Sequence, residues 1–237
     1  MATTLVTGGT GQLGVPTAAG LRASGHDVRV LSRARGAGLT TADVVSGAGI
    51  AEAVQGVDTI VHIVSTFGKG DLAGKGDMRI ADTLIGAAKA AGVGHLVFIS
   101  IIGADKIPLL YYKTKLAIEA KLRESGLAHT VLRIAQFHSL VEQIFTTQRR
   151  LPVLFAPAFS VQPIDAGDAA KRIVEIASGS PQGRAEDIAG PVAAEAAAWA
   201  RQWKTAAGSR QPVVPFWLPG ATFAGYAAGH NLAPEAA

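Results

Sequence analysis

The chain has no cysteine. That single absence excludes disulfides, thiolate metal sites and cysteine nucleophiles. Charge is sparse as well, at 17% Asp, Glu, Lys and Arg against 49% hydrophobic residues, so disorder is excluded and a sizeable core is implied. No apolar run is long enough to span a bilayer, and the start of the chain lacks the basic-then-apolar layout of a signal peptide. A cytoplasmic protein without membrane association is therefore expected. The longest Lys/Arg block is Arg149-Arg150, so the net charge of +4 argues for small anionic ligands rather than nucleic acid. His62, His95, His129 and His138 are scattered without ligand spacing, and no metal site is expected.

What the chain does have is glycine, placed to effect near its start: Thr3-Thr4-Leu5-Val6-Thr7-Gly8-Gly9-Thr10-Gly11-Gln12-Leu13-Gly14. A short β-branched run feeds a glycine turn, and helical spacing follows from residue 12 to about 21, so the unit reads strand, tight turn, helix. Glycines at 8, 9 and 11 permit positive φ and close approach of a ligand to bare N–H groups, and Gly14 lets the helix press against the strand. The helix N-terminus adds roughly half a positive charge. Together these make a pyrophosphate cradle. The spacing fits both Gly9-x-Gly11-x-x-Gly14 and Gly8-x-x-Gly11-x-x-Gly14, and its place between a strand and a helix is the context that marks a dinucleotide site.

Residues 27–31 read as the second strand, followed by Ser32-Arg33-Ala34-Arg35. About twenty positions past the glycines an acid holds the ribose 2′-hydroxyl of NAD, whereas an arginine accommodates the 2′-phosphate of NADP. Arg33 lies nineteen positions after Gly14 with Arg35 nearby and no acid present, so NADP is favoured over NAD. Further along, residues 41–45 read as a short strand with Asp43 at a turn near the adenine, residues 48–55 as a helix and residues 58–64 as a buried strand. That strand runs into Ser65-Thr66-Phe67-Gly68, read as a lip over the cofactor, and its His62 is read as a packed core histidine. Residues 77–91 have a clear amphipathic period, residues 95–100 form another buried strand, and residues 129–133 a sixth. Strands and helices alternating through residue 134 specify an α/β fold, a Rossmann-like doubly wound parallel sheet with helices on both faces and right-handed crossovers.

The helix that begins at Tyr111 carries Lys115 one turn on, on the same face. An ammonium so close stabilises a phenolate and equips the pair to exchange a proton with a carbonyl or alcohol oxygen. The set Gly8-x-x-Gly11-x-x-Gly14, Arg33, Gly56-x-Asp58, Phe98-Ile99-Ser100, Tyr111-x-x-x-Lys115, Leu132-Arg133 and Phe137-His138 resembles the short-chain dehydrogenase/reductase superfamily. More narrowly, it resembles the atypical NmrA-like, NAD(P)H-binding branch. The resemblance covers nearly the whole chain, including Gln162-Pro163-Ile164-Asp165 and Gly190-Pro191.

The resemblance implies that Gly8, Thr10, Gly11, Gln12 and Leu13 wrap the pyrophosphate, Arg33 and Arg35 take the 2′-phosphate, and Lys115 holds the nicotinamide ribose. Tyr111 would be the proton donor, residues 134–137 would stand beside the nicotinamide, and Phe137 and His138 would face the substrate pocket. In that superfamily a Ser or Thr hydroxyl just past the fifth strand holds the substrate oxygen. Here Ser100 is the candidate, and Ile101-Ile102 follow it. Beyond residue 137, segments 137–150, 166–178 and 191–206 read as helices, 151–163 as irregular chain ending in a strand, and 212–219 as too proline-rich for a central strand. Residues 1–237 then read as a single NAD(P)-binding Rossmann domain, with 137–165 and 185–237 forming a small C-terminal substrate lobe. Phe155, Phe159, Phe216 and Trp217 there either line a site for an apolar ligand or seal the lobe. The expected function is an NADP-dependent oxidoreductase acting, as monomer or homodimer, on a small apolar carbonyl or enone. The alternatives are a non-catalytic NADP(H)-sensing regulator and a sugar-nucleotide epimerase or dehydratase.

Overall fold

In a computed structural model of the chain, residues 1–66 and 71–233 are described. Phe67 and Gly68 of the expected lip lie outside them. The chain forms two compact units, each built from separated stretches: Met1–Ser100, Leu110–Arg133 and Ala166–Glu186 in the first, Ile101–Leu109, Ile134–Asp165 and Asp187–Ala237 in the second.

The first unit is organised on a sheet whose strands are β1 (Thr3–Thr7), β2 (Asp27–Ser32), β3 (Leu39–Thr41), β4 (Thr59–His62), β5 (His95–Ile101), β6 (His129–Ile134) and β9 (Gly183–Arg184). Their order is β3-β2-β1-β4-β5-β6-β9, and the pairings of β1 with β2 and β4, of β2 with β3, of β4 with β5 and of β6 with β9 are all parallel. This is the doubly wound order, with its switch point between β1 and β4. Leu5, Val6, Ile60, Val61 and Val97 are wholly buried, which is why their strands carry continuous apolar runs rather than alternation. Helices surround the sheet: α1 (Gly14–Ala23) packs on α6 (Ala166–Ser178), while α3 (Lys75–Ala91) packs on α2 (Ile50–Ala53) and on α4 (Leu110–Glu124).

The doubly wound sheet is the expected one, with local differences. The strand anticipated over 41–45 falls at Leu39–Thr41 instead, because Asp43 folds back on its own turn, its carboxylate accepting from the Val45 N–H and the Ser46 hydroxyl, both at 3.0 Å. The helix anticipated over 191–206 begins at Ala196, because Ala194–Glu195 (β10) are drawn into antiparallel pairing with Ser160–Val161 (β8).

The second unit has its own core of Phe145, Leu154, Ala156, Ala196, Ala197 and Ala200, with Trp199 and Trp203 packed against it. Its helices are α5 (His138–Thr146), α7 (Ala196–Ala206) and α8 (Ala221–Ala227), beside a parallel pair, β7 (Leu154–Pro157) and β11 (Val213–Phe216). Strand alternation turns Leu154 and Ala156 inward and leaves Phe155 43% exposed. Residues 213–216 thus form an outlying strand despite Pro215, consistent with proline's exclusion from central positions.

Candidate functional site

The glycine turn at the end of β1 is built by steric necessity. Gly8 has φ +72°, and a Cβ there would stand 2.9 Å from the Val64 backbone nitrogen. A Cβ on Gly14 would lie 2.1 Å from the Gly8 carbonyl oxygen and 2.5 Å from the Gly9 Cα, so α1 crosses the turn at a distance no other residue allows. The Gly11 N–H closes the turn on the Gly8 carbonyl at 3.0 Å. No side chain caps the N-terminus of α1, and Thr10, Gly11 and Gln12 are exposed there. An uncapped helix start behind an exposed glycine turn fits a pyrophosphate. Leu13, by contrast, is buried, and its carbonyl accepts from the Thr17 hydroxyl at 2.7 Å. Past β2, the Ser32 hydroxyl accepts from the Ala34 N–H at 3.1 Å, turning the chain so that Arg33 and Arg35 are both exposed. The Val45 N–H lowers the pKa of the Asp43 carboxyl, and the nearby Arg33 guanidinium adds to the effect.

Val64, against which Gly8 packs, is followed by Ser65 and Thr66, and these lead to the second half of the site. The Ser65 hydroxyl donates to Asp77 Oδ2 at 2.8 Å and lies 2.9 Å from the Tyr111 hydroxyl. Thr66 donates its N–H to Asp77 Oδ1 at 2.6 Å, and its hydroxyl lies 2.9 Å from that oxygen and 3.0 Å from Asp71 Oδ2. Asp71 in turn accepts from the Lys75 and Gly76 N–H groups at 3.0 and 2.6 Å, which fixes the start of α3. On α4, Lys115 is buried with its Nζ 3.2 Å from Asp77 Oδ2, 5.4 Å from the centre of the Tyr111 ring and 5.0 Å from that of Phe98. Burial pushes the Asp77 carboxyl upward, but the Lys115 ammonium, the Thr66 N–H and the two hydroxyls outweigh it and hold the pKa below the usual carboxylate range. His62 lies 2.9 Å from the Thr7 hydroxyl and stacks on Phe98. Burial first, then the Lys115 charge, lowers its pKa to about 3, so it is a neutral core residue as the apolar run around it predicts.

Tyr111, Lys115, Ser65 and Thr66 are thus brought together, and Ser100 goes elsewhere. Its hydroxyl donates to Glu119 Oε1 at 2.5 Å, inside a buried network in which Arg133 donates to both oxygens of the same carboxylate at 2.9 and 2.7 Å. Phe137 stands in the second unit, where it precedes α5 in extended conformation. His138 meets the edge of Trp199 at 5.4 Å. In that unit Phe155, Phe159 and Phe216 line an apolar groove of about 390 Å³ with Ile144, Phe223 and Tyr226, whereas Trp217 is 58% exposed and lines nothing there. Sequence reasoning missed Asp77, whose partners stand 11 to 38 positions away. It could have been found as an acid on the otherwise apolar face of α3.

A parallel sheet in this order, with an uncapped glycine turn at its switch point, defines a Rossmann-type nucleotide binder. Residues 8–177 match the family described as NAD(P)H-binding, and the chain belongs to that family. A photosystem II assembly factor Ycf39 from Trieres chinensis is 33% identical over 169 residues, covering 63% of this chain and 51% of that protein. The chain therefore spans about half the length of the curated relatives it matches. Among solved structures, an NADPH-dependent quinone oxidoreductase from Escherichia coli superposes with a TM-score of 0.78 at 21% identity, over 98% of this chain and 91% of that one. A nucleoside-diphosphate-sugar epimerase from Staphylococcus aureus does so with a TM-score of 0.78 at 18% identity and the same coverage. At these identities the likeness speaks to the fold. No helix among the described residues is long and apolar enough to cross a membrane.

Proposed function

We propose that the chain is an NADP-dependent oxidoreductase of the short-chain dehydrogenase/reductase type, in its NmrA-like branch, acting on a small apolar carbonyl or enone. The observation that carries this is a buried lysine ammonium set 5.4 Å from a tyrosine ring, in the same unit as an open glycine cradle. When bound, the cofactor supplies or accepts the hydride. The backbone of Gly8, Thr10, Gly11, Gln12 and Leu13 would hold its pyrophosphate, and the exposed guanidinium groups of Arg33 and Arg35 would take the 2′-phosphate. Tyr111 would donate its phenolic proton to the substrate oxygen, and Lys115 would orient the ribose. The apolar character of the substrate is supported by Phe155, Phe159 and Phe216 around their groove.

A second reading, a non-catalytic NADP(H) sensor, is favoured by one observation: the Ser100 hydroxyl is committed to Glu119, and apolar Ile102 follows. Nicotinamide fluorescence titration together with an NADPH-consumption screen over ketones, quinones and enones separates the two. Turnover that Tyr111→Phe abolishes supports the oxidoreductase. Tight binding with no turnover on any substrate, unchanged in Tyr111→Phe, supports the sensor.

A further inference from the structure

Asp77 is 1% exposed yet ionic, and it sits where the oxidoreductase reading needs no carboxylate. Its Oδ1 is taken by Thr66, and its Oδ2 faces Ser65 at 2.8 Å, Lys115 at 3.2 Å and the Tyr111 hydroxyl at 3.5 Å. A serine hydroxyl has one proton. With the Ser65 proton given to Asp77, the Ser65 oxygen is the nearer acceptor for the Tyr111 proton, at 2.9 Å against 3.5 Å to Asp77 Oδ2. The phenol is thereby pointed by a neighbour that a carboxylate has itself oriented. The Lys115 ammonium, meanwhile, is matched by an anion at nearly the same place, so the phenol faces a neutral pair rather than a bare cation.

We propose that Asp77 and Ser65 are the positioning residues of the Tyr111–Lys115 pair: Asp77 balances the lysine charge and orients Ser65, and Ser65 holds the Tyr111 hydroxyl in place. The proposal rests on the oxidoreductase reading above. When Tyr111 releases its proton to the substrate oxygen, Ser65 turns its O–H from Asp77 to the new phenolate. Lys115 remains paired with Asp77 throughout, and the phenolate regains a proton from solvent as product leaves. A buried Asp–Lys pair that merely bolts α3 to α4 would break on mutation too, so the test needs readouts that bolting does not move.

The first readout uses the protein without cofactor: the near-ultraviolet phenolate absorbance of Tyr111, taken as the difference between each protein and its Tyr111→Phe counterpart, titrated against pH. Asp77→Asn leaves Lys115 unbalanced beside the phenol, so the phenolate band is expected about one pH unit or more lower than with Asp77 in place. Asp77→Asn combined with Lys115→Met removes both charges, and the band is expected to return toward its original position. No displacement in Asp77→Asn overturns the role of Asp77.

The second readout is NADPH oxidation with phenanthrenequinone. Ser65→Ala is expected to lower kcat about 100-fold with KM within about twofold, the scale of losing one donor to a developing oxyanion, and Ser65→Thr to keep at least about a tenth of the activity. Ser65→Ala with full kcat, alongside an inactive Tyr111→Phe, overturns the role of Ser65 and leaves the oxidoreductase reading standing. Tyr111→Phe with full activity overturns that reading, while the cofactor-free titration still decides Asp77.

Discussion

Acidification is expected to destabilise this protein in part through His62, by an amount that its burial sets. The ring is 3% exposed and contacts Thr7 and Phe98, with the Lys115 ammonium 5.0 Å from the centre of the same phenylalanine ring. Desolvation and then Lys115 lower its pKa to about 3 from the ordinary 6.5, with Asp77 opposing them. The unfolded chain therefore takes up a proton at a pH where the folded chain does not. Stability contributed by neutral His62 is present above the ordinary histidine value and is lost progressively as pH falls from about 6.5 toward 3. Between pH 7 and 5 the loss amounts to about 2 kcal/mol. In a chain of this length that corresponds to a fall of about 4–8 °C in Tm. His95 is pushed in the same direction by burial and then by His129, so the wild-type slope alone is not diagnostic. The diagnostic quantity is the difference between wild type and His62→Gln, which can still bond Thr7 but cannot titrate. Thermal and urea unfolding followed by circular dichroism at each half pH unit should show the two proteins converging by about 2 kcal/mol as pH drops from 7 to 5. A constant gap across that range refutes the argument.

Other perturbations follow from the same geometry. Arg33→Ala should weaken NADPH binding about 10-fold or more while leaving NADH within about threefold, measured by nicotinamide fluorescence, and equal losses would remove the 2′-phosphate assignment. Gly14→Ala puts a methyl group 2.1 Å from the Gly8 carbonyl, so a cost above about 3 kcal/mol and loss of nucleotide binding are expected in urea unfolding and titration. Glu119→Ala strands the Arg133 guanidinium in the interior and should cost about 3–5 kcal/mol, whereas replacing both partners with apolar side chains should recover much of that in the same unfolding assay.

The parts of this protein that could be read from sequence are those whose causes are local. The glycine turn, the buried runs of β1 and β4 and the i,i+4 placement of Tyr111 and Lys115 each follow from residues within a few positions of one another. The helix over 166–178 is equally local, and its bounds match. What escaped were pairings between distant elements. Ser100 carries the right side chain, yet β5 runs on to Ile101 and Glu119 on the neighbouring helix claims its hydroxyl, and only the packing of α4 beside β5 brings the two together. The sequence places Ser65 at a lip after β4, but its contact with Tyr111 spans 46 positions and is not visible there. The late start of α7 has a similar origin, since Ala194–Glu195 are extended because β8 is there to receive them.

The pairing of β7 with β11 joins residues about sixty positions apart, and each of the two units draws on three separated stretches of chain. Neither unit can therefore be finished early. A ribosome making this chain must release residue 184 before the sheet of the first unit has its last strand, and residue 213 before Leu154 gains its partner. Long non-local closures of this kind are slow and leave sheet edges open in the meantime. A nascent chain stalled between those two points would expose the unpaired backbone N–H and C=O groups of β7 to chaperones, and to its own copies.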